Sequence, residues 1–394
     1  MTATWSKNWL RATLFGSAAA FGIAGVASAQ GGAAPAQREE SALEELIITA
    51  QKREENLQTV PLAITAMSGE SLERQSITTF NDLQTRVPGF HYDEYSAGQP
   101  RFYARGVGNN VLSGSIDEAI GVFIDGVYLD RPAMANTDFL DLERVEVLRG
   151  PQGTLFGRNV VGGAVSFVTR RPTDQFRYGG NLTIGNYREI SGGAYVSGPV
   201  TEKFFASFAA TTRNRDGYAY NTTTKNDVED AQFVGARTTL RFLPSDSVEV
   251  LLRGDVSRRR GTGVWWVLYG RGLQTAPSEI TTPRRNAHQP DDGWNDVDNN
   301  GASLEVNWDL QGVKLTSLSS FRASDFANRT NLTPPNVAPG LNPATVSGNF
   351  SNVLFTRDFE EHAEQRSQEF RLTSDDAERL RWVAGLFYHH VDVA

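Results

Sequence analysis

Few residues of this 394-residue chain have a type and spacing suited to covalent chemistry. It has no cysteine, which removes thiol nucleophiles, thiolate metal sites and disulfides. His389 and His390 are neighbours on an alternating segment, so they face opposite sides and cannot both hold one metal ion. The run containing Gly150, Gly153, Gly157, Gly162 and Gly163 lacks the Gly-Lys-Ser/Thr end of a phosphate loop. Its glycines suit tight turns and close packing instead. No nucleophile–base set, paired-carboxylate motif or zinc motif stands out, so no enzyme, metal site or cofactor is expected. What remains is the chemistry of recognition. Leu46, Ile47, Ile48, Thr49 and Ala50 form a short β-prone segment, followed by charged residues from Lys52 and Arg53 onward. On a flexible tether, such a segment can add a strand to a partner's exposed sheet edge, its main-chain hydrogen bonds carrying the load. It could equally be the first strand of the domain that follows. Trp265 and Trp266, with Tyr269 and Arg271, suit stacking on an aromatic or planar ligand. They suit an interfacial aromatic girdle equally well.

The elements that position these residues begin with an export signal. Lys7 and Arg11 precede an apolar stretch over residues 14–26, and Ala27-Ser28-Ala29 forms a cleavage site before Gln30. The stretch is too short and too rich in Gly and Ala to serve as a membrane anchor. Residues 31–37 are Gly, Ala, Pro and Gln, a flexible linker. The net charge of -8, with pI near 5.3, argues against a nucleic-acid partner. A mean hydropathy of -0.38 excludes a helical membrane protein but permits a β-barrel, whose strands alternate.

A small α+β domain is expected next. Residues 59–66 read as a strand, and Ser68 caps a helix over residues 70–75. Thr79 and Asp82 fit a capping box, with that helix ending before Val87-Pro88. Further strands are expected over 101–106, 120–128 (turning at Asp125-Gly126), 145–148 and 163–170. From Gln175 the pattern becomes strict alternation. Phe176, Tyr178, Leu182 and Ile184 share one parity, as do Leu304, Val306 and Trp308, and Leu380, Trp382, Leu386 and Tyr388. Nine strands are expected, near residues 175–184, 188–198, 203–214, 231–242, 247–258, 301–310, 313–324, 364–374 and 380–393. Alternation alone also fits a soluble sandwich. The connections, however, alternate short and long after a tight first turn at 185–187, as in outer-membrane barrels with short periplasmic turns and long outer loops. That parity puts the N-terminal domain on the periplasmic side. Nine strands would leave two open edges in lipid, so the chain is expected to be the N-terminal part of a longer protein.

Several stretches, in this order and spacing, resemble the TonB-dependent outer-membrane receptor family. They are Ile47-Ile48-Thr49-Ala50-Gln51-Lys52-Arg53, Asp82-Leu83 with Val87-Pro88-Gly89, Arg105-Gly106-Val107-Gly108, Val122-Phe123-Ile124-Asp125-Gly126-Val127-Tyr128, and Glu143-Arg144-Val145-Glu146-Val147-Leu148-Arg149-Gly150-Pro151-Gln152-Gly153. The resemblance implies an α+β plug followed by an antiparallel transmembrane β-barrel, which in the family has about 22 strands and would be incomplete here. The implied organisation is a signal peptide (1–29), a flexible linker (30–45), a TonB box region (46–53), a plug (54–172) and the first part of the barrel (173–394). Leu46, Ile47, Ile48, Thr49 and Ala50 become the segment that binds TonB, which acts with ExbB and ExbD at the inner membrane. Plug arginines of the family pair with wall glutamates. Arg105 and Arg149 are the expected donors, and Glu369, inward-facing by alternation with Phe370 and Leu372, the acceptor. Ligand contacts are expected from Tyr95, Gln99, Arg101, Tyr103, Asn109 and Asn110 on the plug, and from Trp265, Trp266, Tyr269 and Arg271 on an outer loop. The implied role is active uptake of a scarce nutrient across the outer membrane, a ferric siderophore by family frequency. Cobalamin, carbohydrate and aromatic compounds stay open. A passive porin, needing neither box nor plug, is the reading of a different class.

Overall fold

The computed structural model describes residues 47–49, 52–53, 55–94, 98–109, 118–135, 141–263, 285–287, 291–331, 356–375 and 380–394. The plug is built on a five-stranded mixed sheet. In chain order its strands are β1 (Ile64–Ser68), β2 (Ile120–Ile124), β3 (Val127–Leu129), β4 (Leu142–Arg149) and β5 (Gly163–Thr169), and their spatial order is β1-β4-β5-β2-β3. β5 lies at the centre, antiparallel to β4 and parallel to β2. Its Ala164 and Val165 are fully buried, as a strand covered on both faces requires.

Ser68 caps helix α1 (Gly69–Arg74) by accepting from Ser71 N at 3.3 Å. Gly69 opens that helix because a Cβ there would lie 1.9 Å from the Leu142 carbonyl oxygen. The expected capping box opens α2 (Phe80–Leu83): Thr79 N donates to Asp82 Oδ2 at 3.0 Å, and Asp82 N to Thr79 Oγ1 at 3.4 Å. Phe80 packs on Phe102 and Phe167, with ring centroids 4.7 and 5.2 Å away. Asp125 and Gly126 turn β2 into β3 with φ of 49° and 82°, and Asp125 accepts from Thr169 N at 2.8 Å.

One expectation for the plug needs correction, and one strand was missed. The strand expected over 59–66 starts only at Ile64. Thr59 N closes a turn onto Asn56 O, and Pro61 has no N–H to give to a ladder. Phe90–Glu94 is an additional strand, antiparallel to Pro100–Ala104. Its charged Asp93 and Glu94 hide the alternation.

The nine expected wall strands are all present. They are β6 (Arg177–Ile184), β7 (Ile190–Pro199), β8 (Phe204–Arg215), β9 (Ala231–Ser245), β10 (Val248–Gly261), β11 (Trp294–Asp309), β12 (Val313–Asn331), β13 (Thr356–Ser374) and β14 (Val383–Val393). They form one antiparallel sheet in sequence order. Tyr178, Leu182, Ile184, Leu252, Val256, Leu304 and Leu386 are exposed on its outer face. Leu251, Glu305, Leu318 and Glu369 form an inward row, each registered on the next. β11, β12 and β13 have 16, 19 and 19 residues, longer than the alternation predicts. About 9–11 residues cross the hydrocarbon. Beyond that, the outer face carries Arg258, Asp298, Asp325 and Asp358, whose ion pairs run across strands and carry no apolar signal. Gly301 lets Arg322 reach across β11 to Asp255, at 3.1 and 2.8 Å; a Cβ there would sit 2.5 Å from Arg322 Nη1. Among the described residues no helix is long and apolar enough to cross a membrane.

Candidate functional site

The β-prone N-terminal segment lies folded against the plug. Ile47–Ile48 pairs antiparallel with Glu55–Asn56. Ile48 is fully buried among Phe123, Tyr128, Leu148, Val160 and Ala164, whereas Ile47 is half exposed. Thr49 N and Oγ1 both donate to Glu146 Oε1, at 2.9 and 3.2 Å. Glu146 is 1% exposed, and its charge is compensated by Arg144 Nε at 2.7 Å. Arg144 Nη2 also donates to Thr49 Oγ1 at 3.3 Å. Leu46 and Ala50 lie outside the described residues.

Just downstream, two basic residues fasten the segment to the wall. Lys52 adopts a left-handed φ of 61° and places Nζ 3.3 Å from Glu369 Oε2, over the rings of Phe156 and Phe123. Burial pulls the Lys52 pKa below the usual lysine range, and the Glu369 carboxylate offsets part of that. Arg53 Nη2 donates to Ser374 Oγ at 2.7 Å and to the Ser374 carbonyl. A cavity of about 740 Å³ adjoins this seam, lined by Thr49, Lys52, Arg171, Glu305, Lys314 and Arg371 among others.

Glu369 faces inward as its parity predicts, but its partners are Lys52 and Arg371, the latter at 2.6 Å. The expected pairing with Arg105 or Arg149 is corrected. Arg105 sits exposed at a tight turn with φ of 53°, and Arg149 Nη1 donates to the Pro88 carbonyl at 2.8 Å. Plug–wall ion pairs are made by other residues. Arg131 binds Glu361 through two nitrogens, both side chains being buried. Gln365, fully buried, accepts from Asp130 N and donates to the Tyr128 carbonyl. Arg171 approaches Glu249 at 3.1 Å and Glu305 at 3.7 Å, while Arg253 joins Glu305 at 2.8 Å to Asp125 at 3.5 Å. Glu361 and Gln365 share the parity of Glu369, which is the signal that could have found them.

Of the expected ligand residues, Gln99, Arg101, Tyr103 and Asn109 are described. Arg101 pairs with Asp93 at 2.6 Å, and the Tyr103 ring lies 5.9 Å from His91. Tyr95, Asn110, Trp265, Trp266, Tyr269 and Arg271 lie outside the described residues. Glu94, which the sequence did not single out, is gripped by Arg259 at 2.7 and 3.0 Å and accepts from the Tyr92 hydroxyl. Burial pushes the Glu94 carboxyl upward, but the Arg259 charge and the hydrogen bonds from Arg259, Tyr92 and the Gly98 backbone together outweigh it and hold the group below the usual range. No group of three acidic, histidine or cysteine side chains among the described residues is placed to hold a metal ion.

This geometry has counterparts in known proteins. The family profile described as TonB-dependent Receptor Plug Domain matches residues 56–164. The chain is 24% identical over 182 residues to the vitamin B12 transporter BtuB of Vibrio vulnificus, covering 45% of this chain and 28% of that protein. It is 26% identical over 182 residues to the ferric-pyoverdine M114 receptor PbuA of a Pseudomonas species, covering 46% and 22%. Among solved structures it resembles the ferric yersiniabactin uptake receptor FyuA from Yersinia pestis, with TM-score 0.66 and 20% identity over 84% of this chain and 49% of that one. It also resembles the siderophore receptor PiuA from Acinetobacter baumannii, with TM-score 0.68 and 16% identity over 86% and 46%. The chain thus spans about half the length of these solved relatives. Residues 56–164 thus match the TonB-dependent receptor plug domain, and the chain shares the fold of these solved outer-membrane receptors.

Proposed function

We propose that this chain is the plug-bearing part of a TonB-energised importer whose cargo is a ferric siderophore. The observation that carries the reading is the folded-back segment at Ile47, Ile48 and Thr49, buried by Ile48 and fastened through Lys52 and Arg53. Beside those polar fastenings only a two-residue ladder and one buried isoleucine hold it, fewer contacts than within the plug sheet, so it can leave without unfolding the domain. Once free, it presents main-chain groups to a partner's sheet edge. Pulling from the inner membrane then rearranges the plug, because the outer membrane has no ATP of its own. A passive porin gives no reason for such a segment.

The siderophore assignment rests on the similar receptors, several of which are named for ferric ligands, while one is named for vitamin B12. The test uses the full-length receptor in cells. Iron starvation should raise its abundance, and labelled ferric siderophore should enter only when residues 46–50 are intact. Uptake of cyanocobalamin without response to iron would replace the cargo and keep the mechanism. Uptake unaffected by deleting residues 46–50 would overturn the mechanism itself.

A further inference from the structure

Two carboxylates hold the stowed segment, and each keeps an arginine of its own. Glu146 accepts from the Thr49 amide and hydroxyl, while Arg144, two residues earlier on β4, donates to it through Nε at 2.7 Å. Glu369 meets Lys52 through Oε2 at 3.3 Å, while Arg371, two residues later on β13, donates to Oε1 through Nη1 at 2.6 Å. A spacing of two along a strand puts both members of each pair on one face. Neither arginine belongs to the segment, so both stay behind when it leaves.

The two arginines are not engaged alike. Arg144 Nη1 donates to Glu143 and Nη2 to Thr49 Oγ1 at 3.3 Å, so each of its nitrogens is in use. Arg371 has a donor to spare. Its Nε is buried without a hydrogen-bond partner, which costs free energy for a charged donor. Lys52 sits at the second Glu369 oxygen, the one a further bond from Arg371 would need. Two cations sharing one carboxylate also repel each other. Burial is the main cause of the lowered Lys52 pKa, and the Arg371 charge adds to it against the pull of Glu369. Lys52 and Arg371 line the same cavity of about 740 Å³, so the guanidinium has open space in which to turn.

We infer that Arg371 is a positioning residue for release: as Lys52 withdraws, Arg371 turns its Nε side onto Glu369, closes a two-nitrogen fork and replaces Lys52 as counter-ion. The inference rests on the reading that the segment is released, and it names what regulates that step. Without the exchange, the departure of Lys52 would strand a carboxylate that is 13% exposed, the costly way to break a buried pair. With it, Glu369 is paired in both states, and the fork satisfies the isolated Nε. Stowed and released states then lie close in free energy, where a ligand can shift the balance. An arginine that merely braced Glu369 for Lys52 would act with the opposite sign.

The test is amide exchange at Thr49 in the full-length receptor without cargo, since that amide is held by Glu146 only while the segment is stowed. Arg371→Gln should slow this exchange about tenfold, because Lys52 becomes the only cation at Glu369 and release strands the carboxylate. In a Glu369→Gln background the same change should alter the rate by less than about threefold, because Arg371 acts through Glu369. Exchange in Arg371→Gln as fast as in wild type, or faster, would overturn the inference. A full tenfold slowing in the Glu369→Gln background would also overturn it, by reducing Arg371 to a charge that repels Lys52. Arg371→Lys keeps the charge without the fork; it should slow exchange about threefold and decides the matter by the same sign should the glutamine variant fold poorly. If the wild-type Thr49 amide exchanged no faster than the β5 amides, the segment would not leave on its own, and the release reading would fall together with this inference.

Discussion

Lys52 Nζ lies 3.3 Å from Glu369 Oε2, joining the residue just after the folded-back segment to a wall strand 317 positions later in the chain. Both side chains are nearly buried, so the pair is only weakly screened by solvent. The bond spans the boundary between the segment proposed to be released and the wall. Glu369→Gln removes the charge and keeps the shape. In the full-length receptor without cargo, it should increase the released fraction of the segment roughly tenfold, equivalent to about 1.4 kcal/mol. Protease cleavage near residues 46–53 reads that fraction. Cleavage equal to wild type would remove the pair from the account.

Ile48 provides the apolar half of the same restraint. Ile48→Ala should cost about 2–4 kcal/mol of docking through lost burial and the cavity left behind. The change should favour release even with Lys52 and Glu369 intact. Ile47→Ala, at a half-exposed site, should cost well under half as much. Hydrogen exchange at the Thr49 amide, which donates to Glu146, distinguishes the two.

The Arg131–Glu361 pair anchors the other side of the plug. Arg131→Ala leaves a buried carboxylate unpaired, a loss of roughly 3–5 kcal/mol. Exchange of backbone amides in β3 and the following turn should rise a hundredfold or more. Arg131→Met combined with Glu361→Leu removes both charges and should recover most of that protection. If the double variant were as unprotected as the single one, the pair's shape rather than its charge would be responsible.

Asp141 gives the plug a pH dependence. Burial pushes its carboxyl up to about 6, with Arg170 only partly opposing this from 3.9 Å. A raised folded-state pKa stabilises the plug fully below the unfolded value near 3.8, and this contribution is lost as pH rises through about 6. The plug should therefore be less stable at pH 7 than at pH 5, by no more than about 3 kcal/mol from this group. Asp141→Asn should remove that part of the difference. Equal pH responses in wild type and variant would contradict it.

Sequence legibility followed physical signal strength. The wall was readable because lipid on one side and plug on the other force period-two alternation, seen at Phe176, Tyr178, Leu182 and Ile184. The caps at Ser68 and Thr79 were readable because their hydrogen bonds are local. The charged outer halves of β11, β12 and β13 were not, because ion pairs such as Arg329–Asp358 join residues 29 positions apart and leave no period. The face of Glu369 was legible, but its partner was not. Alternation fixes which way a side chain points; only the plug's docked position decides that Lys52, and neither Arg105 nor Arg149, meets it.

The central claim is that the segment at Ile47, Ile48 and Thr49 is a coupling strand stowed until cargo binds. These 394 residues contain no cysteine, so Ile47→Cys supplies a clean labelling site, and its half-exposed position tolerates a spin label. The measurement is label mobility in the full-length receptor, with and without ferric siderophore, followed by addition of TonB's C-terminal domain. The account predicts an immobile label without cargo, a mobile one with cargo, and renewed immobilisation when TonB binds. A label that stays immobile through all three conditions would contradict it.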